Sequence, residues 1–391
     1  MKKWSFRAAL AAFAASLCIT WPIWAKAKDY DPYDPCNAWG PCSFGDLEIG
    51  GEFLWWKPCI DKLEFAFAEE GVKALKDEGA NPLAGEDAKP SKDEIVLSRY
   101  RTKSTIKTLC PDWEPGGRVW VYKPSVLCSN CGLGASWTGI FVNHADSIGV
   151  VRDLDEKEKK IASLGIPTIQ LPLAAYYDGK YIGATALFKV GYHDYDVLFS
   201  YPCFCSERSV IRPFFGFAGL ILNQKLRIKG KNPSVCDGDV KWKSDLSAYG
   251  LRVGTEYECK FANCFGIFGR FAATIVTGCP DTKSRHRFDC HIKNEADEHH
   301  TILDDECYRC YPGYHLTAGV SYETCVNDVD VIFRAGYEFV EWHNLPHPRK
   351  FSAQEARFSF FKSASPVITH TNASDRTFGW QGILVGLGVY F

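Results

Sequence analysis

The stretch Gln381–Phe391, QGILVGLGVYF, decides how the rest of the chain is read. Phe391, Val389, Leu387, Val385 and Ile383 are apolar at every second position, with Tyr390, Gly388, Gly386, Leu384 and Gly382 between them. A period of two gives a β-strand one greasy face and one that is small or amphipathic. Ending on such a strand with a terminal aromatic fits the closing strand of a transmembrane β-barrel, which must show lipid an apolar face. On that reading Phe391, Val389 and Leu387 form the barrel-assembly signal. The competing reading is a buried edge strand of a soluble sandwich.

The other end of the chain narrows the choice. Residues 1–27 read as a secretory signal: Lys2, Lys3 and Arg7 precede an apolar run from Ala8 to Trp24, and Ala25-Lys26-Ala27 fits the cleavage pattern. A lipoprotein signal would use Cys18, but Leu17 before it is too large. Residues 28–46 form a periplasmic N-terminal segment and 47–391 the barrel. Beyond the signal no run of eighteen apolar residues supplies a transmembrane helix. The formal charge of −2 offers no global attraction to nucleic acid. The 12 Trp, 18 Tyr and 26 Phe suit the aromatic girdles of a barrel.

Alternation recurs along the chain. Leu47, Ile49, Phe53 and Trp55 oppose Glu48 and Glu52; Leu251, Val253, Thr255 and Tyr257 oppose Arg252, Glu256 and Glu258. Phe265, Ile267, Phe271 and Ile275 oppose Arg270, and Val331, Phe333, Ala335, Tyr337 and Phe339 oppose Arg334 and Glu338. A sandwich would show the same pattern, so the spacing between segments has to decide. Strands read near 47–57, 114–124, 134–143, 181–192, 195–203, 208–221, 224–231, 243–258, 264–277, 313–323, 329–342 and 379–391. The gaps alternate between short ones, including His193–Asp194 and Leu222–Asn223, and mostly long ones such as 58–113, 144–180, 278–312 and 343–378. Short periplasmic turns alternating with long outer loops predict an all-β, antiparallel transmembrane barrel of about twelve strands, with a range of twelve to sixteen. Residues 69–94 are charged, carry a short helical pattern and read as a loop insert.

Several segments resemble the family of major outer membrane proteins typified by Legionella, which includes the MOMP-like proteins of environmental chlamydiae. They are GGEFLWWKP (Gly50–Pro58), Ala184–Ile228 with RPFFGFAGLILNQKLRI from Arg212, YGLRVGTEYE (Tyr249–Glu258), IFGRFAATIVTG (Ile267–Gly278), FRAGYEFVEW (Phe333–Trp342) and the closing GILVGLGVYF. The resemblance implies a pore-forming barrel, and the cysteine content resembles the disulfide-linked chlamydial members more than the Legionella side.

Seventeen cysteines indicate an oxidising compartment. Cys128/Cys131 and Cys307/Cys310 are CxxC pairs, but structural disulfides are a better use for them than zinc or a redox site. The assumed topology puts Cys36, Cys42, Cys128, Cys131, Cys259, Cys264 and Cys325 on the periplasmic side. It puts Cys59, Cys110, Cys203, Cys205, Cys236, Cys279, Cys290, Cys307 and Cys310 outside. Both sets are odd, which predicts disulfide links between neighbouring molecules. His286, His291, His299, His300 and His315, near Asp304 and Asp305, lack metal-ligand spacing and read as a solvated loop. Pro213, inside a strand segment, suggests a bulge.

No Gly-x-Ser-x-Gly, HExxH or Walker sequence is present, so no catalytic residue, metal or cofactor is assigned. The informative charges lie on the polar strand faces. Arg118, Lys189, Arg212, Arg252, Arg270 and Arg334, with Glu48, Glu52, Glu256, Glu258 and Glu338, are expected to line a wet lumen. Six cations against five anions predict weak, slightly anionic selectivity. The expectation is an exported outer-membrane porin passing small hydrophilic solutes and ions. Its partners would be outer-membrane lipid, those solutes, and further copies or disulfide-linked neighbours, with no nucleic acid. The alternative is an adhesin or structural protein with a plugged barrel.

Overall fold

The computed structural model describes residues 47–60, 63–72, 101–124, 131–149, 162–165, 183–202, 204–205, 208–231, 236–261, 264–292, 295–305, 308–326, 329–348, 350–353, 368–372 and 376–390. The signal, the segment 28–46, Phe391, Cys128, Cys203, Cys307 and the helical pattern beyond residue 72 lie outside them.

Strands are numbered along the chain. Ten of them close an antiparallel ring: β1 (Glu48–Ile60), β4 (Glu114–Lys123), β5 (Gly132–Gly149), β7 (Gly183–Ser200), β9 (Ser209–Lys231), β10 (Cys236–Lys260), β11 (Phe265–Gly278), β14 (Arg309–Val326), β15 (Val329–Leu345) and β18 (Arg376–Tyr390). Each pairs with the next, and β18 returns to β1, with Phe53 opposite Val385 and Glu48 opposite Tyr390. Closure leaves the ring no free edge, as a barrel in lipid requires. The hairpin of β12 (Asp281–Ile292) and β13 (Glu295–Asp305) continues β11 and β14 past Cys279–Pro280 and pairs with the first half of β10. The short β8 (Phe204–Cys205) flanks β9. Separately, β2 (Glu64–Val72), β3 (Arg101–Thr108) and β6 (Ala162–Gly165) form a small sheet, and β16 (Lys350–Ala353) pairs with β17 (Ile368–Asn372).

Twelve strands were expected, and the ring has ten because two expected turns are not turns. His193–Asp194 lies inside β7, opposite Ile221 and Leu220, and Leu222–Asn223 lies inside β9, opposite Leu246 and Asp245. The inward phase runs through both sites without a break, from Tyr192 to Asp194 to Asp196 and from Leu222 to Gln224. Pro213 makes no bulge either: β9 passes it in register, opposite Thr255. Its carbonyl accepts the Tyr201 N–H at 3.0 Å, so its donor-less nitrogen faces the side on which β7 has already ended at Ser200.

With ten strands, the connections 124–131, 201–208, 261–264 and 327–328 share one end with the two termini of the ring, and the other connections, the four-residue 232–235 among them, share the other. Cys205 and the connection carrying Cys203 therefore move from the outer to the periplasmic set. The sets become nine and seven, and both stay odd.

Sidedness follows strand parity. In β1, Ile49, Phe53 and Trp55 are 46%, 54% and 40% exposed on the outer wall, whereas Glu48, Leu54 and Trp56 are 5%, 0% and 1% exposed inside. Phe215, Phe217, Tyr249, Leu251, Val253, Ile275, Val385 and Leu387 continue the exposed apolar wall around the ring. Exposed apolar area on this scale has a physical reason only if something apolar covers it. The packed core is the barrel interior.

Candidate functional site: the barrel lumen

The lumen has two storeys. The storey nearer the termini is charged, and its geometry is set by arginines that reach across neighbouring strands. Arg118 on β4 donates from Nε to Thr138 Oγ1 at 2.8 Å, from Nη1 to Glu52 at 2.7 Å and from Nη2 to Glu338 at 2.7 Å. Arg252 on β10 repeats the plan: Nε donates to Thr274 at 2.8 Å, Nη1 to Asp196 at 2.5 Å and Nη2 to Asp194 at 2.8 Å. In both cases the threonine stands directly opposite the arginine on the adjacent strand. A fork of fixed geometry thus ties together four strands at Arg118 and three at Arg252.

Arg334 reaches Glu258 at 3.3 Å and Glu48 at 3.6 Å, Arg212 reaches Glu258 at 3.0 Å, and Arg270 reaches Asp196 at 3.4 Å. Arg270 lies 4.9 Å from the Phe214 ring and Arg334 lies 5.7 Å from the Trp120 ring, so the cations rest on aromatic faces. Trp120 itself donates to Glu48 at 3.0 Å and covers Gly50, where a Cβ would fall 2.1 Å from its ring. Only glycine leaves the indole that place. His315 and Thr317 both bond Glu338, the carboxylate that Arg118 also holds. A cavity of about 140 Å³ remains among these groups, lined by Glu48, Glu52, Arg118, Asp196, Arg212, Glu256, Glu258, Arg270 and Arg334. That is room for about ten waters.

The second storey is apolar. Leu54, Trp56, Ile140, Phe188, Tyr192, Leu220, Trp342, Phe378 and Trp380 are each at most 1% exposed and point inward from β1, β5, β7, β9, β15 and β18. Trp380 sits at its centre, 5.1 Å from Phe378, 5.4 Å from Tyr192 and 6.1 Å from Trp56 between ring centroids. Trp342 donates to the Tyr192 hydroxyl at 3.2 Å. The indole N–H groups of Trp56 and Trp380 have no acceptor among the described residues. Trp56 also meets Arg118 at 5.9 Å, joining the two storeys.

Ten of the eleven charges assigned from sequence face this lumen: Glu48, Glu52, Arg118, Arg212, Arg252, Glu256, Glu258, Arg270, Arg334 and Glu338. Lys189 does not. It is exposed on the outer wall, because β7 turns its even-numbered residues inward. Asp194 was missed because the misread turn took it off any strand face, and Asp196, inside the expected strand 195–203, was not assigned to the lumen. His315 is not part of a loop cluster; it lies in β14 and points inward, 4% exposed, while His286, His291, His299 and His300 fall on β12 and β13. Among the described cysteines, Cys131 at the start of β5 is disulfide-bonded, and Cys236 stands opposite Cys290 in the β10–β12 register.

Among solved structures, the outer membrane protease OmpT from Escherichia coli is 9% identical, with TM-score 0.35, over 88% of this chain and 97% of that one. A FadL homologue from Pseudomonas aeruginosa is 8% identical, with TM-score 0.20, over 92% and 94%. The TodX deltaS2S3 mutant, a monoaromatic hydrocarbon channel, is 8% identical, with TM-score 0.28, over 94% and 96%. Likenesses this distant carry no argument about what the chain does. No curated protein matches it. The family model for the Legionella pneumophila major outer membrane protein precursor matches residues 40–391. With the whole ring inside that match, and a wall built for lipid, the chain belongs to this outer membrane protein family and resides in the outer membrane.

Proposed function

We propose that the chain is an outer-membrane channel for ions and small hydrophilic solutes that rests in a shut state. The observation that carries this is the two-storey lumen: a charged chamber left unfilled, under a ceiling of closely packed aromatic and aliphatic side chains. A barrel needed only as an anchor gains nothing from an empty charged chamber, because desolvated ion pairs contribute little net stability. A continuously open diffusion pore, in turn, has no use for a ceiling. Apolar constrictions gate by excluding water, and trimming one rewets it. The unpaired indole N–H groups of Trp56 and Trp380 would serve as donors to water once the passage hydrates. No bond is made or broken in this reading.

The test is planar-bilayer conductance of the mature barrel and of the double variant Trp56→Ala, Trp380→Ala. The shut-channel reading expects rare or very small steps from the parent and frequent, larger steps from the variant. Large steady steps from the parent would mean that the ceiling does not cross the path. Silence from both would favour the second reading, a plugged barrel presenting its outer connections, which the same ceiling supports. Disulfide links between neighbouring copies are a further part of the proposal, motivated by odd cysteine sets at both ends. Native membranes showing only monomer on a non-reducing gel would remove that part.

A further inference from the structure

Above the apolar wall, the strand register brings together charges that lie far apart in sequence. Lys189 on β7 stands opposite Lys225 on β9, which stands opposite Lys243 on β10, which stands opposite Lys283 on β12. Four lysines thus form one row across four neighbouring strands, spaced about 5 Å apart at the backbone. Two residues further along each strand, the next outward row is Leu187, Arg227, Lys241 and Arg285; beyond it come Thr185, Lys229, Asp239 and Arg287. The residues between these rows, including Phe188, Leu226, Trp242 and Ser284, are buried. The charges are therefore all on the outer wall and cannot turn into the lumen.

The balance on this wall is one-sided. Nine cations on these four strands are accompanied by Asp239, Asp245 and Asp281, with Asp304 of β13 opposite Lys283 in register, in a chain whose formal net charge is −2. Asp239 holds Arg227 at 2.7 Å and Lys241 at 3.4 Å, Asp245 holds Lys243, and Asp281 holds Lys283 at 3.2 Å. Lys189 and Lys225 have no carboxylate partner among the described residues. So many like charges repel one another unless anions lie between them.

The position of the surface names the anion. The row immediately below the four lysines is Gly191, Asn223, Asp245 and Asp281, with Phe141 of β5, 65% exposed, beside Gly191; His193, Ile221 and Ser247 follow, then Tyr195 and Tyr249, and then Phe217 and Leu251, 67% and 58% exposed. The lysines thus begin about 7 Å beyond Phe141 of the neighbouring β5, and about 20 Å, six residues, beyond Tyr195 and Tyr249 on their own strands. That is the depth of lipid headgroups, and aromatic residues followed by basic ones are the usual order at such a boundary. We propose that the outward faces of β7, β9, β10 and β12 bind the phosphorylated headgroups of outer-leaflet lipid. The row spacing lets one phosphate sit between two lysines, and a diphosphorylated headgroup can engage both basic rows. The proposal rests on residence in the outer membrane and is independent of the shut-channel reading.

The experiment uses the full mature barrel in detergent micelles, with its unfolding temperature as the readout. Doping the micelles with diphosphorylated lipid A is expected to raise the midpoint by several degrees, whereas the dephosphorylated lipid leaves it unchanged. In the triple variant Lys189→Gln, Lys225→Gln, Lys243→Gln, the lipid concentration for half the shift is expected to rise at least tenfold. The triple Lys→Arg variant is expected to keep the parent response. Should the glutamine variant fail to fold, the single changes at Lys189 and Lys225, read in the same way, decide. An unchanged response in the glutamine variants, or an equal shift with dephosphorylated lipid, would overturn the proposal. An equal shift with inorganic phosphate alone would assign the surface to free phosphate instead and overturn it as well.

Discussion

Arg252 illustrates what the inside of this barrel demands of a single side chain. It is 3% exposed and donates to Thr274, Asp194 and Asp196, so its charge is removed from water only because two carboxylates come with it. Removing one partner of such a set costs far more than the set contributes, since the remaining charges keep their desolvation and lose their compensation. Arg252→Met is therefore expected to destabilise the barrel by about 3–5 kcal/mol. The measure is the temperature at which the compact, gel-shifted form is lost in detergent. Adding Asp194→Asn and Asp196→Asn to that variant is expected to recover most of the loss, because Asp194, left without a cation, and Asp196, left to Arg270 alone, are then neutral. A single variant as stable as its parent would show that water already reaches the site. Asn344 makes a smaller case of local constraint. It has φ of 64° where the β15–β18 register slips between Trp342 and Leu345. Asparagine tolerates this left-handed conformation and a β-branched residue does not. Asn344→Val is expected to lower the same midpoint, and Asn344→Gly to leave it within a few degrees.

At the scale of the strand, the sequence was legible wherever alternation stood alone and misleading where polar residues interrupted it. β1, β4, β11, β15 and β18 fall where the pattern of two placed them, because outward apolar residues alternate cleanly with inward charged, small or aromatic ones. β7 and β9 were each cut in two, at His193–Asp194 and Leu222–Asn223, because Asp194 and Asn223 carry turn chemistry. The signal that could have joined them was phase: Tyr192, Asp194 and Asp196 share one face of a continuous strand, with His193 and Tyr195 on the other. Polar residues belong inside here, so they do not mark an end. The continuous strand makes a prediction that the hairpin does not. Asn223 pairs with Gly191 on one side and Asp245 on the other. Proline there removes a ladder hydrogen bond in the middle of a sheet. Asn223→Pro is expected to abolish the folded, gel-shifted barrel, whereas a turn at this place would accept it. Pro213, ten residues earlier, is already tolerated, because β7 stops before it can ask for a donor.

Across the whole molecule, the sequence placed the charges inside but misjudged their balance. Lys189 moves to the outer wall, and Asp194 and Asp196 join the lumen once β7 is continuous. Five arginines, at positions 118, 212, 252, 270 and 334, then face seven carboxylates: Glu48, Glu52, Asp194, Asp196, Glu256, Glu258 and Glu338. The apolar ceiling was not legible at all. Leu54, Trp56, Trp342 and Trp380 look like any strand residues until closure brings them to one level of the bore. The corrected balance reverses the expected ion preference. In a narrow bore the net fixed charge sets which ion is enriched, so an opened lumen of this composition should favour cations. The measurement is the reversal potential of Trp56→Ala, Trp380→Ala barrels under a potassium chloride gradient. A cation-selective sign is expected, and adding Glu52→Gln with Asp196→Asn should carry it towards anions, since two of seven carboxylates are then neutral against five unchanged arginines. Glu52 and Asp196 both line the chamber and are held by Arg118 and Arg252, so their loss also frees cationic groups to face the path. If the potential stays where it was, ions do not pass through the charged chamber, and the current in the opened variant runs outside this lumen.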